Sequence, residues 1–137
     1  MKSSVAYDHR YGRVRIKNLD CGVSAASYSG MVDMEGFEAL RKTALKISMR
    51  KSVLIIDTSK VITTVDLTQE FIPNPDALTR LPAVVICRAD QLVPWQRYAE
   101  KLGRFGVLRV VFLDSERDQA LNLAQTLALA VRPQESN

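Results

Sequence analysis

The sequence predicts an α/β fold: a single-domain, mostly parallel sheet with an N-terminal hairpin and about four helices. Three observations carry that expectation. Two runs, SVLIID at 52–57 and AVVICR at 83–88, are short, β-branched and apolar, as strands buried on both faces must be. Stretches of helical period separate and follow them. The segment RVRIKNL at 13–19 alternates charged residues with Val14 and Ile16, the period-two sign of a half-exposed strand. Strands that alternate with helices give a parallel sheet covered by those helices.

In chain order, the strand at 13–19 turns at Asp20-Cys21-Gly22 and pairs with VSAASYSG at 23–30, whose small residues suit close packing. Asp33 offers an N-cap, and Met34, Phe37, Leu40, Ala44 and Ile47 follow at helical spacing. Glu35 and Glu38 stand near the start of that helix and Arg50 and Lys51 at its end, the order the macrodipole favours. The strand at 52–57 comes next. Within the irregular stretch at 58–82, Asp66 and Gln69 form a capping-box pattern for a short helix, which Pro73 and Pro75 stop. After the strand at 83–88, Asp90 is the expected cap of a helix with Trp95, Tyr98, Ala99 and Leu102 on one face, ended by Gly103 or Gly106. VLRVVFL at 107–113 is the last strand. Ser115 with Asp118 opens the last helix, striped by Ala120, Leu121, Ala124, Leu127, Ala128 and Val131. Leu123 and Leu129 fall outside that stripe, which makes this helix a candidate homodimer surface.

The 137 residues are 47% hydrophobic and 25% charged, the composition of one soluble domain able to bury a core without metal or disulfide. We divide the chain into a basic arm at 1–12, a candidate for disorder, a domain at 13–131 and a tail at 132–137. No apolar run approaches the roughly 18 residues of a membrane span, and the start lacks the apolar core of a secretory signal. Cys21 and Cys87 form no CxxC pair, consistent with free thiols in a reducing cytoplasm. The net charge of +4 is local, because residues 1–17 hold five basic residues against Asp8 and the remainder balances at 14 of each sign. Such an excess suits nucleic acid or anionic lipid, or an edge strand guarded by Arg and Lys. The second reading is preferred, and nucleic acid is not an expected partner.

With one histidine, His9, and two distant cysteines, the sequence offers no zinc set, and no cofactor is expected. It contains no GxSxG, GxxxxGK[ST] or GxGxxG motif. Ligands of open α/β sheets bind beyond the carboxyl ends of the strands. Three strands here end in Asp57-Thr58-Ser59, Arg88-Ala89-Asp90 and Asp114-Ser115. Those residues are candidates for a binding edge, although Asp, Ser and Thr also serve as helix caps and turn residues.

YSGMVDMEGFEAL, KSVLIIDTSKV, LPAVVICRADQL and FGVLRVVFLDSERDQALNLA, taken in this order, resemble the bacterial STAS-like domains, the SpoIIAA-like group related to anti-sigma-factor antagonists. The resemblance spans about residues 13–131. It implies a cytoplasmic regulatory binding domain with no catalysis of its own. In that family the segment after the central strand reads D-L-S-x-V-x-x-x-D-S-S-G, and the serine after the second aspartate accepts phosphate. Asp57, Ser59 and Val61 match the first part, and Asp66 matches the second aspartate with a gap of one residue. Leu67 then stands at the acceptor position, Thr68 follows, and no glycine comes after. Leucine cannot carry the charge of about −1.5 to −2 that works such a switch. Thr63, Thr64 and Thr68 are the remaining candidate acceptors.

The expected function is a non-enzymatic module that docks a protein partner, or itself, with Asp57, Thr58, Ser59, Asp66, Thr68, Arg88, Asp90, Asp114 and Ser115 as the candidate contact residues. The alternative is a sensor that binds an anionic small molecule or lipid headgroup at the strand ends. Arg88 would then supply the counter-charge, and Asp57, Ser59 and Ser115 the hydrogen bonds.

Overall fold

Alternation along the second strand sets the plan of the molecule. In this computed structural model, which describes residues 4–9, 12–19, 22–31, 52–62, 81–104 and 106–135, six strands form one sheet in the order β1 to β6. The strands are β1 (Ser4–His9), β2 (Gly12–Asn18), β3 (Val23–Met31), β4 (Val53–Ile62), β5 (Ala83–Cys87) and β6 (Arg109–Leu113). The pairs β1–β2 and β2–β3 are antiparallel, and β3 through β6 run parallel. The expected mostly parallel sheet with an N-terminal hairpin is therefore present, with one strand more. Residues 4–9, assigned from sequence to the arm, pair with β2 from Ser4↔Lys17 to His9↔Gly12. Six residues ending in Asp-His carry little strand signal alone; the backbone partners come from β2.

Two helices flank the sheet among the described residues: α1 (Leu92–Gly103) and α2 (Arg117–Glu135). Neither is long and apolar enough to cross a membrane. The helices expected at 33–51 and after Asp66 lie outside the described residues. One sheet face carries Val14, Ile16, Ala26, Tyr28, Val61, Val85 and Cys87, packed on Trp95, Tyr98 and Leu102 of α1. The other carries Val23, Val53, Ile55, Val84 and Ile86, packed on Ala120, Ala124 and Ala128 of α2. Alanine at every fourth position lets α2 lie close over the sheet. Leu123, placed outside the stripe by sequence, packs against this second core, which leaves Leu129 as the exposed leucine.

Of the two glycines that the sequence offers as the end of α1, Gly103 is its last residue and Gly106 makes the turn that follows. It adopts φ +76°, its N–H donates to the Gly103 carbonyl at 3.1 Å, and the Val107 N–H donates to the Leu102 carbonyl at 3.1 Å. These two bonds make a Schellman turn, with Val107 and Leu102 in the same core as its apolar contact. The helix starts differ from expectation. A 3-10 turn, Ala89–Gln91, precedes α1, and another, Asp114–Glu116, precedes α2. Neither Asp90 nor Ser115 caps its helix. Instead the third residue of each turn reaches back: Gln91 Oε1 accepts the Arg88 N–H at 3.2 Å, and Glu116 Oε1 accepts the Leu113 N–H at 2.9 Å. The longer side chains span the extra turn that Asp and Ser cannot.

Candidate functional site

The polar run at the end of the central strand remains in the sheet. β4 continues to Ile62, five residues beyond the expected end, because a bulge absorbs the irregularity. Ser27 pairs with Asp57 but Ser29 pairs with Lys60, so β4 holds one extra residue against β3. The bulge changes the parity of the strand. Val53, Ile55 and Asp57 face α2, whereas Ile56, Thr58 and then Val61 serve the α1 side.

Asp57 and Ser59 are buried and meet the first turn of α2. Asp57 Oδ1 accepts the Ser59 N–H at 3.0 Å and its hydroxyl at 2.7 Å. Asp57 Oδ2 accepts Arg117 Nη1 at 2.7 Å. Arg117 Nη2 donates to Ser59 Oγ at 3.2 Å and to Asp114 Oδ1 at 2.5 Å. These are charge-assisted bonds, shorter and stronger than neutral ones. The bond to Asp57 raises the Arg117 pKa above its ordinary value against the opposing effect of burial, and Asp114 adds to the rise. One guanidinium thus ties the middle of β4 to the turn after β6.

Thr58 works on the other face. Its hydroxyl donates to the Ile86 carbonyl at 3.2 Å, with Gln91 Oε1 at 3.5 Å. Gln91 Nε2 in turn donates to the Val61 carbonyl at 3.5 Å. Gln91 therefore joins β4 to the turn after β5.

Of the sequence candidates, Asp57, Ser59 and Asp114 come together through Arg117. Arg88 lies apart, its Nε donating to Asp90 Oδ1 at 3.1 Å, and Ser115 is exposed. The counter-charge beside Asp57 and Ser59 is Arg117, not Arg88. Thr63, Thr64, Asp66 and Thr68 lie outside the described residues. His9 sits on β1, three strands from β4. Sequence reasoning missed Arg117 and Gln91, yet Arg117 carried a signal. A cation in the first turn of a helix opposes the macrodipole and implies carboxylates nearby.

Cys87 closes β5 inside the α1-side core, and burial, with the Asp90 charge adding, pushes its thiol up to about 11. In a Cys21→Ser background, a thiol reagent at pH 8 is expected to leave Cys87 unmodified until the protein unfolds. Rapid labelling of the native protein would contradict that burial. The raised pKa favours the neutral thiol in the folded state, so its contribution to stability is complete below pH 9 and is lost as pH rises to about 11.

No family model and no curated protein matches the sequence. The fold does have a match. A crystal structure of an anti-sigma factor antagonist from Mycobacterium paratuberculosis superposes with a TM-score of 0.50 at 21% identity, covering 91% of this chain and 95% of that one. The fold is therefore the STAS-like α/β fold that the sequence resembles.

Proposed function

We propose that this chain is a non-enzymatic regulatory module that docks a protein partner at the carboxyl edge of its parallel strands. The observation that carries the reading is a division of labour at that edge. The polar groups of Asp57, Thr58, Ser59 and Gln91 turn inward and bond to one another or to the sheet. Two large apolar side chains turn outward: Ile62 is 61% exposed and Val93 53%. Ile62 ends β4 and Val93 lies in the first turn of α1, and Gln91, two residues before Val93, donates from Nε2 to the carbonyl of Val61, the neighbour of Ile62. Charged Lys60 lies two residues from Ile62 in the chain, and Asp90 three residues from Val93, both exposed. An apolar centre with a polar rim is the anatomy of a protein interface. The shared fold with an anti-sigma factor antagonist supports the same reading. The module works without the family's phosphoserine, because Leu67 stands at that position.

Site-specific photo-crosslinking tests this. A photoreactive phenylalanine at Val93 or Ile62, expressed in the native cells, should give one discrete adduct identifiable by mass spectrometry. The same label at exposed Thr126 on α2 should not. Equal adducts at all three positions, or none at the first two, would overturn the proposal.

A further inference from the structure

The basic excess of the N-terminal region forms part of a sheet face. Period-two alternation buries Val14 and Ile16 and turns Arg13, Arg15 and Lys17 to the α2 side, all exposed. Helix α2 packs over β4, β5 and β6 and reaches β3, and among the described residues no element covers β1 and β2 on that side, where Ala6, Asp8, Arg13, Arg15 and Lys17 are exposed. Small residues flank the cations in register. Lys17 lies between Ser4 and Ala25, Arg15 between Ala6 and Ser27, and Arg13 between Asp8 and Ser29. Exposed Lys60 pairs with Ser29 from β4 and extends the patch toward the strand edge. Asp8 engages Arg13 at 2.7 Å, while Arg15, Lys17 and Lys60 form no ion pair among the described residues.

Edge protection does not account for this arrangement. Guarding cations belong on an edge strand, and among the described residues the edge is β1, which places Ala6 and Asp8 on this face. The cations stand one strand inward.

We propose that this open face is a second docking surface, one that takes an extended acidic segment of a partner protein. Alternate residues of β2 stand roughly 6.8 Å apart, which is also the spacing of same-side residues in an extended peptide. Carboxylates at every second position therefore meet Arg13, Arg15 and Lys17 in turn, and the two guanidinium forks donate directed bonds to them. The Ser27 and Ser29 hydroxyls lie beside the path as further donors. The three rows contain no aromatic residue to stack a nucleic-acid base, and no large apolar residue to enter a membrane.

The full chain should be titrated against a fluorescent ten-residue peptide of alternating Glu and Thr, by anisotropy at 50 mM salt. The expected result is saturable binding that weakens as salt rises to 200 mM. Arg15→Glu/Lys17→Glu should weaken it at least about tenfold, because two attractive pairs become repulsive. Arg15→Gln/Lys17→Gln should fall between. Val93→Asp should leave it unchanged, which separates this surface from the strand edge. Both paired variants change exposed side chains, so their thermal midpoints should match the parent. No binding, or equal binding by the reversed variant, would overturn the proposal. So would equal binding of a peptide with its five Glu in one block, or tighter binding of a single-stranded oligonucleotide or phosphatidylserine vesicles.

Discussion

Arg117→Ala should lower stability by about 2 kcal/mol, read as a fall in thermal midpoint of roughly 6–10 °C. The reasoning starts from Asp57, whose side chain is 8% exposed and whose Oδ2 accepts from Arg117. Removing the guanidinium leaves a buried carboxylate with Ser59 among its bonded partners but no paired cation. A fully buried pair broken in this way costs about 3–5 kcal/mol. Arg117 is 40% exposed, so water compensates part of the loss. Arg117→Lys retains the charge but not the fork that reaches Asp57, Ser59 and Asp114 together, and should recover less than half. Chemical denaturation of the three proteins checks the order. A midpoint for Arg117→Ala within about 2 °C of the parent would show that the network adds nothing to the fold.

Trp95→Ala should cost more, about 3–5 kcal/mol, by leaving a cavity in the α1-side core. Trp95 is buried and stands edge-on to Tyr98, with ring centroids 5.2 Å apart at 85°. Such pairs contribute roughly 0.5–1.5 kcal/mol beyond the area they bury. The loss spreads through Tyr98, whose hydroxyl accepts from buried Arg109 at 3.3 Å. Arg109 in turn donates to the Leu81 and Leu108 carbonyls at 2.6 and 2.9 Å. Trp95→Phe fills most of the space and should cost under about 2 kcal/mol. Trp95 is the one tryptophan of the chain, so circular dichroism must follow both variants. A midpoint for Trp95→Ala near that of the parent would contradict the packing.

The apolar runs of β4 and β5 and the stripe of α1 were legible because burial on two faces, or on one helical face, leaves a periodic trace. Three features left none. Strand β1 owes its structure to pairing with β2, and six residues cannot announce a partner. The bulge at Thr58–Ser59 breaks the period that strand prediction relies on, so Asp57 looked like an end when it is a midpoint. Asp90 and Ser115 satisfy the usual rules for caps, but each helix is entered through a 3-10 turn, and Gln91 and Glu116 make the returning bonds. At the site, Asp57, Ser59 and Asp114 were legible as polar residues at strand ends. That Asp57 and Ser59 face inward goes with Arg117, which is 60 residues from Asp57 in the chain.

The division between an inward polar network and exposed Ile62 and Val93 is the basis of the docking proposed for the strand edge. The network ties the middle of β4 to the turn after β6, and in the proposed docking Ile62 and Val93 are what a partner meets. The affinity of the partner captured at Val93 for an Ile62→Asp/Val93→Asp variant tests this most directly. Both side chains are exposed, so the thermal midpoint should be unchanged, while the affinity should fall at least about a hundredfold, as expected when hot-spot residues are lost. An unchanged affinity in a folded variant would contradict docking at this edge.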